Sequence, residues 1–236
     1  MNGDSHDTPG HRLFAALYDP VMALPERVSL PPHRRYLVEG LSGRVLDVGA
    51  GTGASFPYFA ERAREADLEV HAVEPDPHVR RRALETAREA GLSVDLRNAG
   101  AERLPYPDDH FDAALAGIVF CTIPDPSAAL DELGRVLRPG GELRFLEHVR
   151  GEGLRARLQA LIEPVWRRIA GGCHVTRDTV GLFEAHDAFD AVEVERIGFG
   201  LFPANPFLRG TLVRPDDRDS PDRRRREPST RRSDGR

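Results

Sequence analysis

Residues Arg44 to Ser55 read RVLDVGAGTGAS, and the fold turns on how this stretch is understood. An apolar run, Val45 to Val48, leads into Gly49, Gly51 and Gly53, and Ala54 completes a G-x-G-x-x-G/A fingerprint that starts at Gly49. Glycines so placed let the backbone turn sharply from strand to helix and let a ligand approach the main chain. They do not choose the ligand. The fingerprint is shared with dinucleotide-binding loops, where a pyrophosphate sits at the helix N-terminus. Asp47 opposes that use, because a carboxylate about 4 Å from a phosphate charge costs ~4 kcal/mol at an effective dielectric of 20. A cationic ligand reverses the sign.

Outward from the loop the pattern alternates. β-rich runs at Val45 to Val48, Glu69 to Val73, Ser93 to Arg97, Phe111 to Val119 and Leu143 to Val149 are separated by helical stretches. That is the signature of βαβ units and a parallel sheet. Asp76-Pro77 and Asp125-Pro126 each read as an N-cap followed by a first-turn proline. After the second, Ala129, Leu130, Leu133, Val136 and Leu137 share a helical face, and Arg138 to Gly141 ends the helix before the next strand. Leu154, Leu158, Leu161, Ile162, Val165, Trp166 and Ile169 form a second stripe with Pro164 inside it, predicting a kinked helix. Packing on the sheet is the plain reading of that stripe; a lid over the active site or a face laid on a membrane is the sharper one. Ala191 to Ile197 and Phe207 to Val213 read as two last strands that pair as a hairpin at the sheet edge.

The 236 residues suit one full α/β domain, and 40% hydrophobic with 30% charged content suits a soluble globular protein. The net charge of -5 gives no reason to expect nucleic acid, and all 33 basic residues are arginine. Two cysteines, Cys121 and Cys173, without a C-x-x-C pair suggest neither a disulfide framework nor a zinc site, so no metal is expected and a reducing cytoplasm fits. The longest uncharged, mostly apolar run, Ala113 to Pro124, falls short of the ~20 residues of a spanning helix. The N-terminal stretch has no signal-peptide core. The expected division is a flexible N-terminus over 1–10, a domain over 11–213, and a disordered, charged tail over 214–236 with arginines at 223–226.

Beyond the loop, Glu74 ends the next strand, where a carboxylate accepts from ribose hydroxyls. The turn Asn98 to Glu102 ends the third strand and places Gly100, Ala101 and Glu102 to meet an adenine; Asp112 stands at the entry of the fourth. A nucleoside that carries cations and no phosphate is S-adenosylmethionine.

VLDVGAGTG, VEPD, the turn before LPYPDDHFD, and VLRPGG resemble the successive motifs of class I S-adenosylmethionine-dependent methyltransferases, from about Arg44 to Val213. The resemblance implies an α/β, Rossmann-like, doubly wound and mostly parallel seven-stranded sheet with an antiparallel edge strand. It places Asp47, Gly49, Ala50, Gly51 and Gly53 at the methionine end of the cofactor, Glu74 and Pro75 at the ribose, and Ala101 and Glu102 at the adenine. Tyr18 and Asp19, in FAALYDPVM, resemble the segment that many small-molecule methyltransferases fold over the cofactor; an ordinary amphipathic helix is an equal reading.

A narrower resemblance lies in FCTIPD (Phe120 to Asp125), FLEHV (Phe145 to Val149), PVW (Pro164 to Trp166) and GCHVTRDT (Gly172 to Thr179). These are similar to the methyltransferase-like branch whose animal members are membrane-associated thiol S-methyltransferases. This chain lacks the apolar N-terminal anchor of that branch, so peripheral membrane contact is the most expected of it.

Methyl transfer from a sulfonium is an in-line displacement that needs alignment more than a base, and a thiol acceptor is already slightly ionised at neutral pH. His148, at the end of the fifth strand beside Glu147, is the candidate base or substrate-orienting group; a histidine satisfied by backbone hydrogen bonds is the alternative. Cys121 reads as a small buried apolar group, whereas Cys173, His174 and Arg177 share a turn that could help close the substrate site. The expected function is methylation of a small molecule, with an alkyl thiol first and an amine, quinone or lipid headgroup as alternative acceptors. A non-catalytic cofactor-binding module acting through the arginine-bearing tail is the reading from another class.

Overall fold

The computed structural model describes residues 29–197 and 202–216. Tyr18 and Asp19 lie outside the described residues, as do positions 1–10 and 217–236. Seven strands form one sheet: β1 (Gly43–Val48), β2 (Leu68–Val73), β3 (Val94–Arg97), β4 (Phe111–Gly117), β5 (Leu137–His148), β6 (Asp190–Ile197) and β7 (Phe207–Val213), in the order β3-β2-β1-β4-β5-β7-β6. The first five are parallel, and β7 runs antiparallel to both β5 and β6. The Rossmann-like sheet and its edge hairpin are therefore those the sequence predicts.

Among the described residues there are six helices: α1 (Pro31–Val38), α2 (Phe56–Arg62), α3 (Pro77–Ala90), α4 (Pro126–Val136), α5 (Gly153–Ile169) and α6 (Thr179–Ala185). Both predicted caps form. The Asp76 carboxylate accepts from the His78 and Val79 amides to start α3, and Asp125 accepts from Ala128 to start α4. On one face of the sheet α4 buries Leu130, Leu133 and Val136 among Phe111, Phe145 and Phe183; on the other, Leu37, Phe56 and Phe59 pack with Val45 and Leu115. β1 and β4 are thus covered on both sides, which is why their sequences run apolar rather than alternating.

Two expectations are corrected. β5 starts at Leu137 rather than Leu143, because Arg138 to Gly141 forms a bulge inside the strand: Phe111 pairs with Leu137, and the next pair is Ala113 with Glu142. Gly140, at φ 75°, carries the main chain through it. The α5 stripe does not pack on the sheet. Leu154, Leu158, Leu161, Val165 and Ile169 face solvent, Leu161 at 75% exposure, and the helix continues through Pro164 to Ile169. Its inward side is small and polar, Ala156 and Gln159. The Gln159 side chain accepts from the Gly151 amide at 2.7 Å and donates to the Pro203 and Asn205 carbonyls at 2.9 and 3.2 Å. Helical periodicity locates an apolar face, not the direction in which it points.

Strand order reverses between β1 and β4, so their carboxyl ends border the crevice where such sheets bind ligands. Asp47 and the glycine loop follow β1; Ile118 to Cys121 follow β4. Asp112, at the opposite end of β4, accepts from the Arg44 amide at 2.7 Å and pairs with Arg138, so it locks register away from the crevice.

Candidate active site

Gly49 and Gly51 adopt φ of 62° and 59°, the left-handed region that favours glycine. At Gly49 space is also decisive, since a Cβ would stand 2.2 Å from the Val119 side chain. The Ala50 amide donates to the Val73 carbonyl at 3.0 Å, and the Gly51 amide donates to Glu74 Oε2 at 3.1 Å. Glu74 Oε1 accepts from the Asp76 amide at 2.9 Å, so one buried carboxylate joins the loop to the start of α3. Burial raises its pKa against those two hydrogen bonds. The Arg80 guanidinium donates to the carbonyls of Glu74 and Pro75 at 2.8 and 3.2 Å and to the Asn98 side chain at 3.1 Å. The predicted ribose and adenine segments are therefore fastened to each other. Ala101 is buried in the core, and Glu102 Oε1 accepts from the Asp125 amide at 3.4 Å.

Asp47 is buried, and its Oδ2 has no hydrogen-bond partner. Burial pushes its pKa up to about 7; Arg34 pulls it down and Glu74 pushes it further up. Arg34, buried on α1, also reaches Ser55 Oγ at 3.3 Å. Two carboxylates thus flank the glycine loop, and one of them already holds a loop amide. A diphosphate would meet both charges, whereas an ammonium would meet an unsatisfied oxygen.

The other border of the crevice is built from the ends of β4 and β5. Ile118, a β-branched residue, sits at φ 62°, a rare and strained conformation of the kind found beside functional sites. Glu147 Oε1 holds the turn after it, accepting from the Val119 and Phe120 amides at 2.8 and 3.0 Å. Arg177 donates to the Phe120 carbonyl and, at 2.7 Å, to the Ile123 carbonyl. His148 is buried with its Nε2 3.1 Å from Cys173 Sγ, and the Trp166 indole N–H donates to the same sulfur at 3.4 Å. Hydrogen bonding from the Cys121 thiol, helped by His148, holds the Cys173 thiol well below its usual range, while the same contact and burial raise Cys121. Burial lowers the His148 pKa, but the Cys173 hydrogen bond and charge more than offset it. His174 turns away to Glu163, at 3.2 Å. A cavity of about 420 Å³, lined by Arg150, Ala160, Glu163, Pro164, Arg167 and Thr176, opens beside this segment.

Residues 46–145 match a family model described as a methyltransferase domain. A thiol S-methyltransferase of Rattus norvegicus is 31% identical over 186 residues, covering 75% of this chain and 74% of that protein. The chain belongs to the class I S-adenosylmethionine-dependent methyltransferases. A phosphatidylethanolamine N-methyltransferase of Cereibacter sphaeroides is 35% identical over 126 residues, 52% of this chain and 60% of that protein. Among solved structures, a SAM-dependent methyltransferase of Methanosarcina mazei superposes with a TM-score of 0.61 at 20% identity, covering 79% of this chain and 98% of that one.

The cofactor of this methyltransferase is S-adenosylmethionine, and the loop is compatible with its cationic end, since Asp47 leaves a buried carboxylate oxygen without a hydrogen-bond partner. Two features of the crevice had no signal in the sequence. Arg34 is one arginine among many on a short helix, and Cys121 meets Cys173 only because the sheet brings two distant segments together.

Proposed function

We propose that this methyltransferase moves the methyl group of S-adenosylmethionine to the sulfur of a small thiol. The observation that carries the reading is the similarity to a thiol S-methyltransferase over three-quarters of both chains. In this reading Asp47, Gly49, Ala50, Gly51 and Gly53 hold the methionine end, Glu74 and Pro75 the ribose, and Ala101 and Glu102 the adenine. Tyr18 covers the cofactor, and His148 stands on the acceptor side at the end of β5. Bound there, the cofactor would supply an activated methyl group; an acceptor thiol would take it while the donor sulfur keeps the C–S electron pair as a neutral thioether, and the acceptor proton would pass to solvent. Alignment and water exclusion supply most of the acceleration.

Incubation with isotope-labelled donor and separate panels of alkyl thiols, amines, quinones and lipid headgroups tests this. Label in the thioether product alone is expected. Label confined to an ethanolamine headgroup would support the second reading, which the similarity to the phospholipid N-methyltransferase favours.

A further inference from the structure

Three soft donors converge at the end of the sheet that borders the crevice. Cys121 Sγ, Cys173 Sγ and a ring nitrogen of His148 all lie within 4.8 Å of one another, and all three residues are buried. They come from three separate segments: the turn after β4, the end of β5, and the loop after α5. Both cysteines are held in place from outside the cluster. The His174 amide donates to the Cys121 carbonyl at 2.9 Å, fixing the two cysteine segments together. The Trp166 indole N–H points at Cys173 Sγ, and the strained Ile118 packs against the pair of cysteines.

We propose that Cys121, His148 and Cys173 form a binding site for a thiophilic divalent cation of the zinc class. The donor types are those of mononuclear zinc sites with two cysteines and one histidine. Metal–sulfur and metal–nitrogen bonds of about 2.3 and 2.0 Å put tetrahedral donors roughly 3.5 Å apart. The His148–Cys173 separation of 3.1 Å needs only a small widening to admit the ion. An N–H donated to a ligand sulfur is the outer support that tunes such sites, and Trp166 supplies one to Cys173. Sequence alone could not supply this set, because the cysteines share no local motif.

Three protein donors leave a tetrahedral ion one position. On the thiol reading of the active site, which this step alone requires, that position takes the acceptor sulfur as thiolate, its proton passing to solvent. The ion then does for the acceptor what a base would otherwise do, and His148 acts as a ligand.

The test is a Co²⁺ titration, followed by Zn²⁺ competition, of the full chain reduced with a phosphine rather than a thiol. One equivalent per chain with thiolate-to-cobalt charge-transfer absorption of two-sulfur intensity is expected. Cys121→Ser and Cys173→Ser should each lower that intensity and weaken affinity by about 100-fold or more. Retained binding of S-adenosylhomocysteine shows that the variants fold, and the wild-type spectrum counts sulfurs even if they do not. No stoichiometric uptake, a spectrum without thiolate absorption, or equal uptake by the variants overturns the site. Addition of an alkyl thiol should strengthen the charge-transfer band. An unchanged band refutes the acceptor step while the ion site stands, and neither result depends on turnover.

Discussion

Asp47 carries opposite consequences for stability and for binding. Its pKa is raised from 3.8 to about 7, so between those values the folded chain holds a proton that the unfolded chain has lost. Stability therefore falls as pH rises through that window, and the penalty is fully present above about 7. On the proposed reading of the loop, cofactor binding runs the other way, because an ammonium held there needs the ionised carboxylate; Arg34 and Glu74 face the same group and set where it titrates. Affinity for S-adenosylhomocysteine, followed by calorimetry from pH 5.5 to 8.5, should rise through neutrality and level off above it. Asp47→Asn should raise the thermal stability of the ligand-free protein at pH 8, by about 1–3 kcal/mol, while binding is weakened. At Gly49, alanine would meet both a positive φ and the Val119 side chain; a cost of about 3 kcal/mol is expected, read from denaturant midpoints. These two residues were legible in the sequence because glycine and aspartate act where they stand. Arg34 was not: its importance comes from which carboxylate α1 brings it to.

At the scale of elements, helix starts were legible where a side chain decides them, as at Asp76 and Asp125, whereas the RPGG bulge and the outward face of α5 depend on register and docking. Leu130 lies in the core under α4, so Leu130→Ala should destabilise by about 2–5 kcal/mol. Leu161, on the solvent side of α5, should accept glutamate within about 0.5 kcal/mol. Gln159→Leu should cost more than either the size or the polarity of the change suggests, since three main-chain groups lose their partner. Urea unfolding of the three variants ranks them, and a severe loss at Leu161 would mean that the stripe is covered in solution.

Over the whole molecule, the parallel sheet and its edge hairpin were legible from alternating elements with short connections, which leave few topologies open, whereas the strand order and switch point are read from the structure. The acceptor side was less legible because it forms where the ends of β4 and β5 meet the loop after α5. Among the described residues no helix is long and apolar enough to cross a membrane. The fold closes beyond the last strand: the Arg214 amide donates to the Gly141 carbonyl at 2.9 Å, the Gly140 amide donates back to Arg214 at the same distance, and the Arg214 guanidinium reaches Asp109 and the Leu137 carbonyl. Truncation after Asp216 should leave methyl transfer and melting temperature unchanged. Truncation after Val213 should lower stability by about 1–3 kcal/mol, as the bulge loses its clamp.

That the glycine loop takes a cation rather than a diphosphate is tested most directly by titrating S-adenosylhomocysteine into the wild type and Asp47→Asn at pH 8, with NADH as competitor. Wild-type binding that NADH does not displace, weakened by two to three orders of magnitude in the variant, is the predicted result. Tight NADH binding, or a variant that binds S-adenosylhomocysteine as well as the wild type, would contradict it.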